Sequence, residues 1–223
     1  MWGAGTFIFN IIFGHMGYEY FAAITILRSF ENIAFVFIIG LCNACSIMVG
    51  KSIGKGKIER GIDDTKRFIM IFPVVSLIIA ILIYVFRPEL IGIFNLSDNI
   101  SEVTLNAAMS IMAFYAFEFT IRQIPYLMIV GIFRSGGDTV TGVKYDLLSL
   151  WLLSIPATLI AVYVIEVPFT VAFAVMYIFE DYVKTLLCIK YYKSMKWIKP
   201  VTVEGKSALV DYLQQKGVKN ATR

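Results

Sequence analysis

Two long segments without a charged residue constrain what this chain can fold into. Residues 68–86 and 147–165 each run for nineteen positions without Asp, Glu, Lys or Arg. A helix of that length is about 28 Å long, and the hydrocarbon core of a bilayer is about 30 Å thick. Only 16% of the chain is charged, against about 25% in soluble domains. The sequence therefore predicts an integral membrane protein and excludes a soluble globular fold.

The apolar segments predict helices rather than barrel strands. A single lipid-facing segment must satisfy its own backbone hydrogen bonds, and the alternating pattern of barrel strands is absent from the sequence. The first apolar stretch, residues 2–13, would cover only about 20 Å as a helix and is too short to cross a bilayer. The predicted fold class is an all-α polytopic transmembrane helix bundle with a shortened first helix and five complete spans, at 20–49, 67–87, 103–133, 144–165 and 168–192.

Basic residues predict the orientation of the bundle. They concentrate in the loop 50–67, in the loop near 134–144 and after residue 189, whereas the connections 14–19, 87–102 and 166–168 contain few. Because basic loops remain in the cytoplasm, we expect a multi-pass protein of the cell (inner) membrane. Its transmembrane lobe would cover 1–199 and a cytoplasmic C-terminal tail 200–223. The basic residues form no single patch, so no nucleic-acid partner is predicted.

Two local signals refine this outline. Pro73, Pro125 and Pro156 fall inside predicted spans and are expected to kink them. In the tail, the pattern predicts a short helix over 207–215, with Ser207 as its N-cap and Gly217 just beyond its end.

Polar side chains inside the spans are the candidate pathway residues. Residues three or four apart share a helix face, so each of three spans presents acid and base together. An ionisable group in the bilayer centre costs several kcal/mol and normally faces the bundle interior or a wet cavity. Asp146, near the start of its span, is expected at the membrane interface instead. The candidates are Arg28, Glu31 and Asn32; Glu118, Arg122 and Gln123; and Glu180, Asp181 and Lys184.

Two interpretations of these charges remain open at this point. In one, they line a route for a solute or ion, and their carboxylates titrate or bind a cation. In the other, the acid and base of each pair neutralise each other and only stabilise the packing of the helices.

Patterns for catalysis and metal binding are weak. Cys42 and Cys45 form a CxxC inside a hydrophobic helix with no nearby His, which favours packing over metal binding. The sequence around Gly50 has Cys at the position where a P-loop needs its first Gly. Histidine occurs once, at His15, outside the complete spans, so a serine triad within the membrane is not supported. We therefore predict no enzyme, no catalytic residue, no metal site and no organic cofactor.

Several segments of the chain carry a family resemblance. They are the run 38–50 with 53–56, the segment containing Arg134, Gly136, Gly137 and Asp138, and the segments 29–35, 180–184 and 196–198. In these segments, and from about residue 2 to 202, the chain resembles the multidrug and toxic compound extrusion (MATE) transporters. The run 38–50 with 53–56 is similar to a helix-to-loop signature of that family, and the segment at Arg134 to Asp138 resembles its cytoplasmic loop.

The resemblance implies much about function. MATE proteins have twelve helices in two six-helix lobes, which rock to export organic cations and drugs in exchange for sodium ions or protons. This chain resembles the C-terminal lobe of a prokaryotic member. The implied partners are the lipid bilayer, small organic cations or drugs, and an N-terminal lobe of the same chain or a second subunit. Some branches carry an acidic residue on the tenth helix, roughly where Gln123 stands, so the coupling ion, sodium or proton, is left open.

Two alternatives accompany this hypothesis. The chain could be a non-transporting truncated membrane subunit, in which case the charge pairs would be structural. It could also be a lipid-linked oligosaccharide flippase of related architecture, against which the loop at Arg134 to Asp138 argues.

Overall fold

The computed structural model describes residues 2–94 and 100–215, and every regular element in these ranges is a helix. The predicted all-α helix bundle is therefore confirmed. The helices are α1 (Trp2–Met16), α2 (Tyr18–Gly54), α3 (Ile58–Phe94), α4 (Glu102–Gly136), α5 (Thr139–Tyr163), α6 (169–193) and α7 (Val203–Gln215).

Four of the described helices, α2 to α5, are long and apolar enough to cross a membrane, judged by length and composition. Helix α6 is as long as α5, but every 18-residue window of it contains Glu180, Asp181 and Lys184, and this charge keeps it out of that group. Helices α2 to α6 correspond to the five predicted complete spans, and the short apolar α1 corresponds to the predicted first helix.

The helices extend beyond the predicted spans. The expected loop 50–67 shortens to a turn at 55–57, where Gly56 has a φ of 72°. Helix α3 likewise continues through Pro88 to Phe94. Hydropathy marks where a chain enters lipid, whereas Lys, Arg and Glu are good helix formers that let a helix continue into water.

Three of the long helices contain a wider, π-helical segment. These segments are Leu127–Phe133 in α4, Ser149–Ser154 in α5 and Ile178–Tyr182 in α6. Pro125 stands just before the first and Pro156 just after the second, where the missing proline N–H disturbs the regular bonding ladder. The segment in α6 has no proline, and nothing in the sequence predicted it.

Packing divides the bundle surface into buried and exposed faces. Helices α2, α3 and α4 pack against one another, α4 also contacts α6, and α1 lies against α2 and α5. A continuous apolar face of α3 remains exposed, as expected where a helix meets acyl chains rather than water. Its exposed residues include Met70, Ile71, Val74, Leu77, Ile78, Ile81, Leu82 and Val85.

The three basic connections meet at one end of the bundle, which we call the basic end. It comprises the α2–α3 turn, the α4–α5 turn and the segment after α6. The Oγ1 of Thr202 donates a hydrogen bond to the Gly54 carbonyl at 2.8 Å, and the Lys199 N–H donates to the Gly136 carbonyl at 2.6 Å. The segment after α6 therefore ties the two turns together.

The tail helix differs from its prediction. Helix α7 begins at Val203, and Thr202, whose Oγ1 accepts from the Gly205 N–H at 3.1 Å, occupies the capping position. Ser207 is therefore interior rather than an N-cap. Gly217 lies outside the described residues.

Candidate functional site

A cavity of about 540 Å³ lies among α1, α2, α4, α5 and α6. Aromatic side chains line part of it, among them Phe9, Phe35, Tyr126 and Tyr177. Asp146, expected from the sequence at the membrane interface, is also on the cavity wall. Of the nine predicted pathway residues, seven line this cavity: Arg28, Glu31, Asn32, Arg122, Gln123, Glu180 and Lys184.

An ion pair joins α2 to α4 on the cavity wall. The Nη2 of Arg122 lies 3.4 Å from the Oε1 of Glu31, and each side chain is 18% exposed. The Arg122 guanidinium also lies 4.7 Å from the centre of the Tyr177 ring on α6, a cation–π distance. Arg122 thus links three helices. The sequence had paired Glu31 with Arg28 by spacing, but the observed partner is on another helix.

A second cluster surrounds Lys184. Its Nζ lies 3.2 Å from a carboxylate oxygen of each of Asp146, Glu180 and Asp181. Asp146 comes from α5, whereas the other three belong to α6. The ammonium group of Lys184 therefore contacts three carboxylates and links α5 to α6. The intrahelical contacts were foreseeable from spacing, but the contact with Asp146 was not.

The two predicted residues away from the cavity wall lie deeper in the bundle. Glu118 on α4 and Asp181 on α6 are both 0% exposed. Gln123 is also 0% exposed, and neither atom of its amide has a hydrogen-bond partner in the part of the chain that the structure describes. A buried amide without a partner is uncommon and calls for an explanation.

The fold and the charged cavity agree with a comparison against protein families. A family model described as MatE matches residues 4–160. This is more than two thirds of the chain. The chain belongs to the MATE family. Among curated proteins, no match was found.

Membership of the MATE family places the chain among multi-pass membrane transporters. The matched residues include α1 to α4 almost entirely and most of α5. They therefore contain Glu31, Arg122 and Asp146, whereas the α6 residues Glu180 and Lys184 lie beyond the match.

The loop that resembled the MATE cytoplasmic signature lies at the basic end, away from the cavity. Gly137 has a φ of 98°, and a Cβ there would collide with the Lys199 carbonyl. Gly136 packs against the fully buried ring of Trp197. Arg134 is exposed at the end of α4. Backbone conformation and close packing therefore account for the two glycines.

Asp138 is the charged centre of that loop. It caps α5 by accepting from the Thr141 N–H at 3.2 Å, and it accepts from the Tyr191 hydroxyl. The Nζ of Lys199 lies 2.8 Å from its Oδ2. Burial alone would raise the pKa of Asp138, but hydrogen bonds from Lys199, Tyr191 and Thr141 hold that pKa well below its ordinary value. Asp138 therefore acts as a fixed anion that joins the α4–α5 turn to the tail.

Proposed function

We propose that this chain is the C-terminal six-helix lobe of a cation-coupled antiporter, which exports drugs or organic cations across the cell (inner) membrane. The observation that carries the proposal is the position of Asp146 and Glu180. Both line the cavity, and both contact the single ammonium group of Lys184. Carboxylates that share one counter-ion are suited to exchange a proton or a sodium ion for a cationic solute.

The cavity wall suits bulky organic cations. Phe9, Phe35, Tyr126 and Tyr177 present aromatic surface beside the carboxylates. Aromatic faces attract cations, and the attraction increases when water is excluded. Apolar surface with a few polar groups is also the usual composition of a small-molecule site.

Coupling would act through the contacts of Lys184. Protonation of Glu180, or binding of sodium to it, weakens its attraction to Lys184 and so alters the link between α5 and α6. A coupling ion shifts a transporter between conformations only if it binds them with different affinities. In this proposal the two conformations differ in how closely Asp146 approaches Lys184.

A second lobe completes the pathway. Two-lobed transporters bind their solutes between the lobes near the middle of the membrane. The partner would be an N-terminal lobe of the same chain or a second subunit. In either case the bilayer surrounds the apolar outer faces.

Ethidium accumulation in efflux-deficient bacterial cells tests the proposal. Cells that express the chain, alone or together with an N-terminal lobe of the family, should accumulate less ethidium than cells without it. Glu180→Gln should abolish the difference at an equal membrane level of protein, whereas Arg60→Gln, at an exposed position of α3, should retain it. Unchanged accumulation in both expression formats would contradict the proposal.

The ion pairs between helices favour one alternative, a non-transporting membrane subunit. Glu31 with Arg122 and Asp146 with Lys184 each join two helices. If their role is structural alone, Asp146→Asn will lower the thermal stability of the protein without any effect on ethidium accumulation.

A further inference from the structure

Most charges on the cavity wall have a partner of opposite sign. Glu31 is paired with Arg122, and Asp146 and Glu180 with Lys184. The lining contains three cationic and three anionic side chains. Once these pairs are formed, one cationic side chain remains among the lining residues that the structure describes.

That side chain is Arg28. It forms neither an ion pair nor a hydrogen bond with any residue in the ranges that the structure describes, although it lies three positions before Glu31 on the same helix. A guanidinium group has five N–H donors and is always charged. Its planar fork matches the two oxygens of a carboxylate or the oxygens of a phosphate.

Two amide side chains belong to the same cavity as Arg28. Asn32 follows Arg28 by one helical turn, so both project from the same face of α2. The amide of Gln123, on α4, is buried without a partner among the described residues. An amide N–H₂ group can donate to an anionic oxygen, so Asn32 is suited to bind the same anion as Arg28.

We infer that the cavity recognises an anionic oxygen group on its ligand, through Arg28, in addition to the cationic group of the proposed substrate. The preferred ligands are therefore zwitterions that carry a carboxylate or a phosphate, rather than simple organic cations. This inference rests on the proposed function and specifies its substrate class. The cationic part of the ligand lies toward Asp146 and Glu180, and the anionic part toward Arg28.

A matched pair of dyes tests this inference. Rhodamine B carries a free carboxylate, and its ethyl ester has the same cationic ring system without that negative charge. Their affinities for the purified chain in lipid-free detergent can be measured by fluorescence anisotropy. We expect the wild-type chain to bind rhodamine B about tenfold to a hundredfold more tightly than the ester, the usual contribution of a hydrogen bond to a charged group.

Variants of Arg28 assign the preference to this residue. Arg28→Gln should remove the preference by weakening the binding of rhodamine B alone. Arg28→Lys should retain part of it, because the charge remains but the planar fork is lost. Arg60→Gln, which removes an exposed arginine of α3, should bind both dyes as the wild type does.

Each other outcome has a definite meaning. Equal wild-type affinities for the two dyes, or a preference that survives Arg28→Gln, would overturn the inference while leaving the proposed export of cations intact. Binding of neither dye would contradict both the inference and the proposed role of the cavity. Equal loss of both dyes in Arg28→Gln would show a structural role for Arg28 and would also overturn the inference.

An anionic lipid headgroup carries the same chemistry as a free carboxylate, and competition distinguishes these two sources. If short-chain phosphatidylglycerol displaces rhodamine B from the wild-type chain, the Arg28 site also accepts a lipid phosphate. If it does not, the site accepts free anionic ligands only. Both results support recognition of an anion by Arg28.

Discussion

At the scale of single residues, the balance of charge around Lys184 is the most unusual feature. Three carboxylates surround one ammonium group whose side chain is 9% exposed. Removing one partner of a buried ion pair typically costs about 3–5 kcal/mol, because the remaining charge stays buried. The proposed ion coupling depends on this cluster, in which acids outnumber bases.

Asp138 leads to a prediction about pH. The pKa of Asp138 lies below its ordinary value, because hydrogen bonds from Lys199, Tyr191 and Thr141 outweigh the effect of burial. A depressed pKa means that the folded state prefers the charged carboxylate. Its stabilising contribution is therefore complete above the unfolded pKa of about 3.9 and is lost as the pH falls below it.

Asp138→Asn should therefore lower the free energy of unfolding by about 1.5–3 kcal/mol at neutral pH. The difference from the wild type should stay constant between about pH 5 and 7 and narrow below about pH 4. Thermal unfolding in detergent over this pH range provides the measurement. A difference that widens on acidification would contradict the assigned role of Asp138.

At the scale of helices, the sequence determines where the elements are but not which of them touch. The long apolar segments placed α2 to α6, because the bilayer requires about 20 apolar residues for each span. Spacing within a helix also gave the contacts of Lys184 with Glu180 and Asp181. The ion pair between Glu31 and Arg122 could not be obtained in this way, because it depends on how α2 and α4 are placed against each other.

The π-helical segment of α6 was missed for a related reason. It includes Glu180 and Asp181, and it faces the corresponding segment of α5. Segments of this kind are frequent at functional sites. Helix α6 contains no proline or glycine, so the local sequence does not predict the π-helical segment. The segment lies where α6 packs against α5.

The turn between α4 and α5 gives a prediction at this scale. Gly137 has a left-handed backbone, and a Cβ would meet the Lys199 carbonyl. Gly137→Ala should destabilise the fold by at least about 1–2 kcal/mol, since the left-handed conformation alone costs this much for an L-residue. Thermal unfolding in detergent measures the effect.

Gly92→Ala is the matched control for Gly137→Ala. Gly92 lies within α3, and no atom of the residues that the structure describes is within 4 Å of a Cβ placed there. Alanine is favoured over glycine in a helix by about 0.5–1 kcal/mol, so this variant should be neutral or slightly more stable. Equal stability of the two variants would contradict the packing described for the turn.

At the scale of the whole molecule, the arrangement of basic connections predicts which side each end occupies. The α2–α3 turn, the α4–α5 turn and the tail lie together at the basic end, and positive charge favours the cytoplasm. In this orientation, Ser207 lies in the cytoplasm and Glu102, at the opposite end of α4, lies outside.

Cysteine labelling in intact cells tests this orientation. Glu102→Cys should react with a membrane-impermeant maleimide in intact cells, and Ser207→Cys only after permeabilisation. The wild-type chain is the control, because its three cysteines, Cys42, Cys45 and Cys188, are buried. Labelling of Ser207→Cys in intact cells would reverse the proposed topology.

The hydrogen bond between Thr202 and Gly54 has a consequence for biosynthesis. Its two residues are 148 positions apart in the chain. At about 5–20 residues per second, a ribosome needs roughly 7–30 s to proceed from one to the other. During this delay the carboxyl end of α2 has already been made, but its partner does not yet exist. Closure of the basic end consequently follows the synthesis of α3 to α6.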